Sequence, residues 1–251
     1  MKTISFLFTM YLLSQFFYGQ AQTKIDTINA LNNKLQLEKL KEKTVKYIVY
    51  STDSLFNLRS SGDIWERKTQ FDVMDSRPVI NFTWKWYKKD TLVAIVTNTC
   101  DKQTLSPLLH KANYFKRGIH AHYFTPTSVI PIDSVKNNLA IQTGTVTLDI
   151  PVISWEQDLE TYPLLPLKKV GQVFDVSFYD PNGKKPSYHR YEIVGKEFLT
   201  LNGSTKVKCW ILQTSYGALG YAKFWITTKG NEVIKMQEYF RGNYRFKVRL
   251  Y

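Results

Sequence analysis

The chain has 251 residues, a formal net charge of +13 at neutral pH and only two cysteines. Its length is enough for one large β domain or two small ones. Beyond the N-terminus no stretch is apolar enough to form a membrane-spanning helix, so the sequence predicts a protein that is not held in a membrane by helices.

The first residues have the pattern of a cleaved export signal. Lys2 is followed by an apolar run from Ile4 to Tyr18 and by the small-x-small triplet Gly19-Gln20-Ala21. This order is that of a secretory signal peptide, with cleavage predicted after Ala21. No cysteine lies near that point, so a lipid-anchored N-terminus is not predicted. We therefore expect residues 1–21 to be a signal peptide and the mature protein to be periplasmic or secreted.

The basic charge has a different meaning in an exported protein than in a cytoplasmic one. A cytoplasmic chain with this charge would be a candidate for binding nucleic acid, but an exported chain rarely meets nucleic acid. The anionic partners in a cell envelope are lipid headgroups, lipopolysaccharide phosphates and acidic glycans. The basic residues are spread along the whole chain, which favours a solvated surface that aids solubility. No nucleic-acid partner is predicted.

The periodicity of apolar residues changes early in the mature chain. Residues 24–43 place apolar side chains at helical spacing, so we predict that residues 22–43 form a helical or partly ordered N-terminal arm. From residue 44 the spacing is that of strands, which we predict over 44–51, 64–74, 79–87 and 91–99.

The second half continues with strands around one helical segment. Ser154, with Gln157 three residues later, has the spacing of a capping box, so we predict a short helix that ends before Pro163. Later runs are separated by turns such as Asn202-Gly203. These features predict a mainly β protein. We expect a single antiparallel, strongly curved sheet, an unclosed half-barrel or barrel-like, with one or two short helices in one domain over residues 44–251.

No constellation of catalytic or metal-binding residues is recognisable. His120 and His122 would share one face of a strand, but no third ligand is tied to them by a local pattern, so no metal site is predicted. The chain has no Gly-x-Ser-x-Gly elbow, no glycine-rich phosphate loop and no dinucleotide fingerprint, so neither an enzyme nor a bound cofactor is predicted.

The two cysteines, Cys100 and Cys209, both lie in strand-like runs. In an oxidising envelope they would form a disulfide if those strands were neighbours or faced each other. The alternative is two buried free thiols that act as small apolar side chains.

Aromatic residues make up 15% of the chain, and many cluster on the predicted strands. In a curved sheet, inward-pointing rings either fill the interior or line a cleft for an acyl chain or another apolar ligand. The residues that we expect to contact such a ligand are Phe82, Trp84, Trp86, Trp210 and Trp225.

The last strand alternates basic and apolar residues after the predicted hairpin turn at Arg241-Gly242-Asn243. We predict that Phe246, Val248 and Leu250 face the core, and that a basic surface facing water or an acidic partner is formed by Arg245, Lys247 and Arg249. Tyr251 shares the basic face, and placing that face against the bilayer midplane would cost about 2–4 kcal/mol per residue. An integral membrane protein is therefore not predicted.

Four stretches in a fixed order resemble a family of exported bacterial β proteins of unknown function. They are "DKQTLSPLLH", "FDVSFYDP", "YEIVGKEFLTLNGSTKVKCWILQT" and "FWITTKGNEVIKMQEYFRGNYRFKVRLY". The resemblance implies a periplasmic setting and an unclosed β half-barrel, similar to periplasmic lipoprotein carriers, with helices over its concave face. It implies no activity and no site residues.

Two hypotheses for function follow. In the first, a periplasmic protein binds a hydrophobic or lipidic envelope molecule in the cleft of the half-barrel. In the second, a non-catalytic adaptor of the cell envelope acts through its basic surface or its sheet edges. A bound lipid would distinguish the first, and a cross-linked protein partner the second.

Overall fold

The computed structural model describes residues 24–32, 34–60, 62–180 and 185–251. The predicted signal peptide, residues 1–21, lies outside these ranges. The sequence "DPNG" at residues 180–183 predicts a turn, most of which lies outside these ranges as well.

The described residues form one large sheet of short and medium strands. The strands are β1 Ile25–Ile28, β2 Lys43–Asp53, β3 Asp63–Met74, β4 Arg77–Lys88, β5 Thr91–Asp101, β6 Pro107–Tyr114, β7 Gly118–Phe124, β8 Ser128–Pro131, β9 Val146–Thr147, β10 Ile153–Ser154, β11 Val173–Tyr179, β12 Ser187–Leu201, β13 Thr205–Ser215, β14 Gly220–Thr227, β15 Val233–Phe240 and β16 Asn243–Leu250.

Helical structure is sparse. The single α-helix, α1, spans Asp158–Thr161 in the described part of the chain. Single 3-10 turns are found at Leu37–Lys39, Leu139–Gln142, Trp155–Gln157, Tyr162–Leu164 and Gly217–Leu219. Within the described ranges no helix has the length and apolar character needed to cross a membrane.

The sheet follows one continuous path and does not close. Its order is β1-β11-β12-β13-β14-β15-β16-β2-β3-β4-β5-β6-β7-β8-β9, and β10 also pairs with β11, next to β1. The predicted mainly β fold with a single curved sheet is confirmed. The sheet is nevertheless mixed, because β1 and β10 both run parallel to β11 while the other pairings between named strands are antiparallel.

The hairpin turns explain why these strands pair in sequence order. Lys89 and Asp90 both have positive φ between β4 and β5, as do Arg241 and Gly242 between β15 and β16. Two-residue turns with positive φ match the right-handed twist of paired strands. The predicted turn at Asn202-Gly203 is confirmed in the same way.

Residues 153–165 lie across the inward face of the sheet, and we call them the inner segment. They comprise β10, the 3-10 turns on either side of α1, and α1 itself. Leu159, Tyr162 and Leu164 are buried in the main core together with residues of β2, β4, β12 and β14. The predicted short helix is therefore confirmed, and its role is to fill the interior of the half-barrel.

The cap of this helical stretch differs from the prediction. The Ser154 side chain forms no capping hydrogen bond with the following turn. Its hydroxyl instead donates to Asn98 Oδ1 at 3.2 Å, which ties the start of the inner segment to β5.

The N-terminal arm, predicted to be helical or partly ordered over residues 22–43, contains a strand in its described part. Ile25–Ile28 form β1, which pairs in parallel with β11, and the following chain contains only a three-residue 3-10 turn. Ile28 is fully buried in the main core. A long-range strand pairing thus outweighs the local helical spacing, which spans few residues.

The two ends of the sheet approach each other without pairing. Phe124 of β7 and Tyr179 of β11 pack edge to face with ring centroids 5.9 Å apart. Ser177 Oγ of β11 donates to the Pro151 carbonyl oxygen at 2.5 Å. Apolar packing and side-chain contacts therefore connect the ends where strand pairing does not.

Candidate functional site

A cavity of about 270 Å³ lies between the inner segment and the sheet, and we call it the inner pocket. Its lining combines aromatic rings with ionisable groups, drawn from strands in both halves of the sheet and from the inner segment. The lining residues are Trp65, Arg67, Trp84, Tyr114, Trp155, Glu156, Asp158, Tyr162, Asp180, Thr214, Tyr216, Phe224, Met236, Glu238, Arg245 and Lys247.

A cluster of buried charges joins the inner segment to β3. Arg67 donates to both carboxylate oxygens of Glu160, from Nε at 2.8 Å and from Nη2 at 2.5 Å. Its Nη1 lies 3.6 Å from Asp158 Oδ1, and Nη2 also donates to the Glu156 carbonyl oxygen at 2.6 Å. Burial opposes the Arg67 charge, but Glu160 and Asp158 outweigh it and raise the Arg67 pKa. This guanidinium stays charged.

The cluster continues to β16 through Lys247. Lys247 Nζ donates to Asp158 Oδ2 at 3.2 Å and lies 4.7 Å from the ring centroid of Trp65. Burial lowers the Lys247 pKa and is only partly offset by Asp158. Burial alone would raise the Asp158 pKa, but the positive charges of Lys247 and Arg67 outweigh burial and lower it. Because the ionised form of Asp158 is favoured, the proton stays on Lys247, and the two residues form an ion pair.

Glu156 is the carboxyl of the inner pocket with the largest upward pKa shift. Burial raises its pKa from 4.5 to about 7. Its Oε1 accepts a hydrogen bond from the Tyr114 hydroxyl at 3.3 Å. Its Oε2 lies 3.2 Å from His110 Nδ1 but has no hydrogen bond of good geometry.

The contact between Glu156 and His110 is not an ion pair. Burial lowers the His110 pKa to about 3, so this imidazole is neutral at physiological pH. Its Nδ1 lies 2.8 Å from Asn98 Oδ1, an acceptor, which places the ring proton on Nδ1. The proximity of two desolvated groups, each driven towards its neutral form, explains a short distance without a salt bridge.

The histidines of β7 lie beside this group. His122 is directly opposite His110 across β6 and β7, with ring centroids 6.0 Å apart, and burial lowers its pKa to about 4. His120 is opposite Ala112. Among the residues that the structure describes, no three His, Cys, Asp or Glu side chains are arranged to hold a metal ion.

The five aromatic residues predicted to bind a ligand do not form one site. Of the five, only Trp84 lines the inner pocket, and Trp86 stacks on it with ring centroids 6.1 Å apart. Phe82 is buried in the main core. Trp210 lines a separate cavity, and Trp225 packs in a cluster on the outer face, where its Nε1 donates to Glu197.

The predicted outward-facing basic surface on β16 is wrong for Lys247, whereas Arg245 is exposed at the rim of the inner pocket. Lys247 is 5% exposed and points to the interior, while Phe246 packs on the opposite face against Tyr50. Arg245 pairs with Glu238 and Arg249 with Glu232. Lys247 points inward, where Asp158 of the inner segment pairs with it. The partner of Arg245 lies on β15, and that of Arg249 lies just before β15.

The disulfide considered from the sequence is not formed. Cys100 and Cys209 are both free and buried, in two different clusters of the core. Burial raises the pKa of Cys100 to about 12 and that of Cys209 to about 11. Both are therefore inert thiols that pack like small apolar side chains.

Sequence reasoning missed the buried ionisable residues in and beside the inner pocket, namely Arg67, Glu156, Asp158 and Glu160. A signal was present: residues 156–160, "EQDLE", are acidic in a strongly basic chain. A buried charge needs a partner of opposite sign, so an acidic run flanked by apolar residues is a candidate partner for buried basic residues. The alternating charges of β16 therefore indicated an internal partner as well as an external one.

The fold and the site can now be compared with known proteins. No curated protein matches the sequence. A solved structure, a β-barrel-like protein of a domain of unknown function, DUF1849, from Brucella abortus, is similar to the chain with a TM-score of 0.49 and 10% sequence identity. The match covers 84% of this chain and 96% of the other.

A family model gives the stronger match. The model described as "Protein of unknown function (DUF3108)" matches residues 46–249, from the second strand to the penultimate residue of the last one. This range includes the whole inner segment and nearly all of the sheet. The chain therefore belongs to the DUF3108 family of proteins of unknown function.

Proposed function

We propose that this protein is exported to the cell envelope and binds a small amphipathic envelope molecule, or the polar end of a lipid, in the inner pocket. The observation that carries the proposal is the composition of that pocket. Trp65, Trp84, Trp155 and Phe224 offer apolar surface, and charged groups stand beside them around one cavity. Pockets with apolar walls and a few fixed polar groups are typical of small-molecule binding.

The cost of the charged cluster supports this proposal. Buried ion pairs are often no more stabilising than apolar side chains of the same volume. Arg67 and Glu160 are 5% and 8% exposed, and Lys247 is 6% exposed, so their charges are held largely away from water. A sheet that needed only a stable core would be served as well by apolar residues. The charges therefore favour recognition of a polar group.

The size of the cavity limits the ligand class. Pockets for drug-sized ligands have volumes of about 300–1,000 Å³, and the inner pocket has about 270 Å³. The inner segment occupies much of the remaining interior. We therefore propose a small ligand, or the headgroup end of a larger one, rather than a fully enclosed acyl chain.

We propose binding without catalysis. Thr214 is the only described lining residue with an aliphatic hydroxyl, and no cysteine is among them. The cationic groups are engaged in ion pairs with carboxylates. Export is supported by the signal-peptide pattern of residues 1–21. The adaptor hypothesis receives less support, because each basic residue of β16 that it relied on has a carboxylate partner.

The test is to ask whether a small molecule co-purifies with the protein and whether it depends on the inner pocket. The protein would be purified without detergent from the envelope of its natural host and analysed by native mass spectrometry. Thr214→Trp fills the pocket from β13, where Thr214 is 7% exposed. The matched control is Gln213→Trp, on the opposite face of the same strand.

We expect the unmodified protein and the Gln213→Trp variant to carry the same molecule, and the Thr214→Trp variant to have lost most of it. Thermal melting and near-ultraviolet circular dichroism check that both variants are folded. A natural protein free of any small molecule, or a Thr214→Trp variant that retains it, would contradict the proposal.

A further inference from the structure

A second cavity, which we call the lysine pocket, is separate from the inner pocket and differs from it in charge. Its volume is about 280 Å³, and it is lined by Lys39, Lys196, Lys208, Trp210, Thr228 and Asn231, with Leu165 at the end of the inner segment and Leu167 just after it. Four parts of the chain meet there: the N-terminal arm, the end of the inner segment, the β12–β13 hairpin and the β14–β15 turn.

Each of these parts brings lysines. Residues 37–41, 165–169, 196–208 and 228–231 together contain eight lysines and two glutamates. One of the glutamates, Glu197, points to the outer face, where its carboxylate accepts from Trp225. This end of the half-barrel therefore has a strongly positive potential, whereas the positive charges of the inner pocket are neutralised.

In the described part of the chain, the three lysines that line the pocket have no carboxylate partner. Within the described ranges, no Asp or Glu side chain forms an ion pair with Lys39, Lys196 or Lys208, and none lines the cavity. Lys196 Nζ lies 3.7 Å from the ring centroid of Trp210, which holds one ammonium group over the ring. The pocket thus presents unneutralised positive charge beside an apolar ring.

The donor types in the lysine pocket distinguish between anions. The described lining has three lysines and no arginine. The planar guanidinium of arginine matches the two oxygens of a carboxylate, whereas lysines act as separate point charges with rotatable donors. Thr228 and Asn231 add a hydroxyl and an amide at the rim. Several separated donors suit the oxygens of a tetrahedral phosphate better than the two oxygens of a carboxylate.

We propose that the lysine pocket binds a phosphate group, with the ring of Trp210 against the organic part that carries it. The group belongs either to a lipid headgroup or to a free small phosphate, and the two sources share the same chemistry at the site. This site is independent of the inner pocket, so each proposal can fail without the other.

The test uses the full chain and two probes. Inorganic phosphate is titrated by isothermal calorimetry, and vesicles of phosphatidylcholine, with or without phosphatidylglycerol, are used for co-sedimentation. The test variant is Lys39→Gln with Lys196→Gln and Lys208→Gln. The control is Lys111→Gln with Lys116→Gln and Lys136→Gln, which removes the same charge from exposed positions outside the pocket.

We expect the test variant to weaken binding of at least one probe by roughly tenfold or more, because several charge-assisted hydrogen bonds are lost together. The control should change binding by no more than about twofold, through net charge alone. A loss with inorganic phosphate identifies a free phosphate ligand, and a loss confined to phosphatidylglycerol vesicles identifies a headgroup. Absence of binding to both probes, or equal effects of the two variants, would overturn the proposal.

Discussion

The burial and the ion-pair partner of each basic residue on β16 depend on its neighbours in the fold. Lys247 and Arg245 lie on the same face of β16, two residues apart. Lys247 is buried and pairs with Asp158 of the inner segment, whereas the side chain of Arg245 is 46% exposed and pairs with Glu238 at the rim of the pocket. The same residue pattern thus yields one internal and one surface ion pair, with different energetic consequences.

This contrast gives a direct prediction. Lys247→Ala leaves Asp158 buried with only the more distant Arg67, so we expect the free energy of unfolding to fall by about 3–5 kcal/mol. Arg245→Ala removes a surface ion pair and should cost roughly 1 kcal/mol or less. Urea unfolding of the two variants measures both values. Equal effects would mean that Lys247 is not buried as a charge.

Glu156 gives a prediction about pH. Burial raises its pKa from 4.5 to about 7, so the folded state retains a proton that the unfolded state has already released. Its contribution to stability is therefore complete below about pH 4.5 and is lost as pH rises towards about 7. Relative to the unmodified protein, Glu156→Gln should gain stability by on the order of 3 kcal/mol across that range.

Asp158 provides a control, because its stability contribution should change with pH in the opposite direction. Its pKa is lowered, so its contribution is present above its unfolded pKa and is lost as pH falls. Asp158→Asn should therefore be most damaging near neutral pH and less so in acid. Chemical denaturation at several pH values measures how the free energy of unfolding of each variant changes with pH. A Glu156→Gln difference that does not change with pH would show that this carboxyl is ionised like a solvated one.

At the scale of elements, local signals were predictable and long-range ones were not. The turns at Arg241-Gly242 and Asn202-Gly203 depend on positive φ within two residues, and the sequence predicts them correctly. The inward face of β16 depends on acids supplied by residues 156–160, far away in the chain, so its apolar residues were assigned to the wrong side. The helical spacing in the N-terminal arm, residues 22–43, is misleading for the same reason, because β1 pairs with the distant strand β11.

One element-scale prediction concerns the turn between β13 and β14. Gly220 has φ of +143°, and a Cβ placed there would lie 1.9 Å from the Tyr239 carbonyl oxygen of β15. Backbone strain and steric overlap act together, so Gly220→Ala should lower the free energy of unfolding by about 3 kcal/mol or more. Thermal or urea unfolding measures the change.

The matched control for Gly220 is Gly171→Ala. Gly171 also has positive φ, +79°, but a Cβ there meets nothing within 4 Å. It should therefore cost only about 1 kcal/mol, from the backbone conformation alone. If both substitutions had the same effect, the close approach of Gly220 to β15 would be disproved.

For the whole molecule, the inner segment connects distant parts of the sheet. It contacts β3 through Arg67, β5 through Gln157 and Cys100, β12 through Tyr162 and Tyr191, and β16 through Lys247. The single β domain predicted over 44–251 also has β16 paired with β2, which joins the two ends of that range. These links favour a single folding unit over two independently folding halves.

We therefore expect one cooperative unfolding transition. Far-ultraviolet circular dichroism, which follows the strands, and tryptophan fluorescence, which follows the interior, should give coincident curves in urea. Glu160→Gln should move both curves together, because it loosens the inner segment from β3. Two separated transitions would contradict a single domain.

An experimental structure of the protein purified from its natural host would show directly whether the inner pocket holds a ligand. Connected non-protein density should lie between Trp84, Trp155 and Phe224, next to the Lys247 ammonium group and the Glu156 carboxyl. If that volume holds only separate water molecules, or if the surrounding side chains have moved to fill it, the inner pocket is not a ligand site.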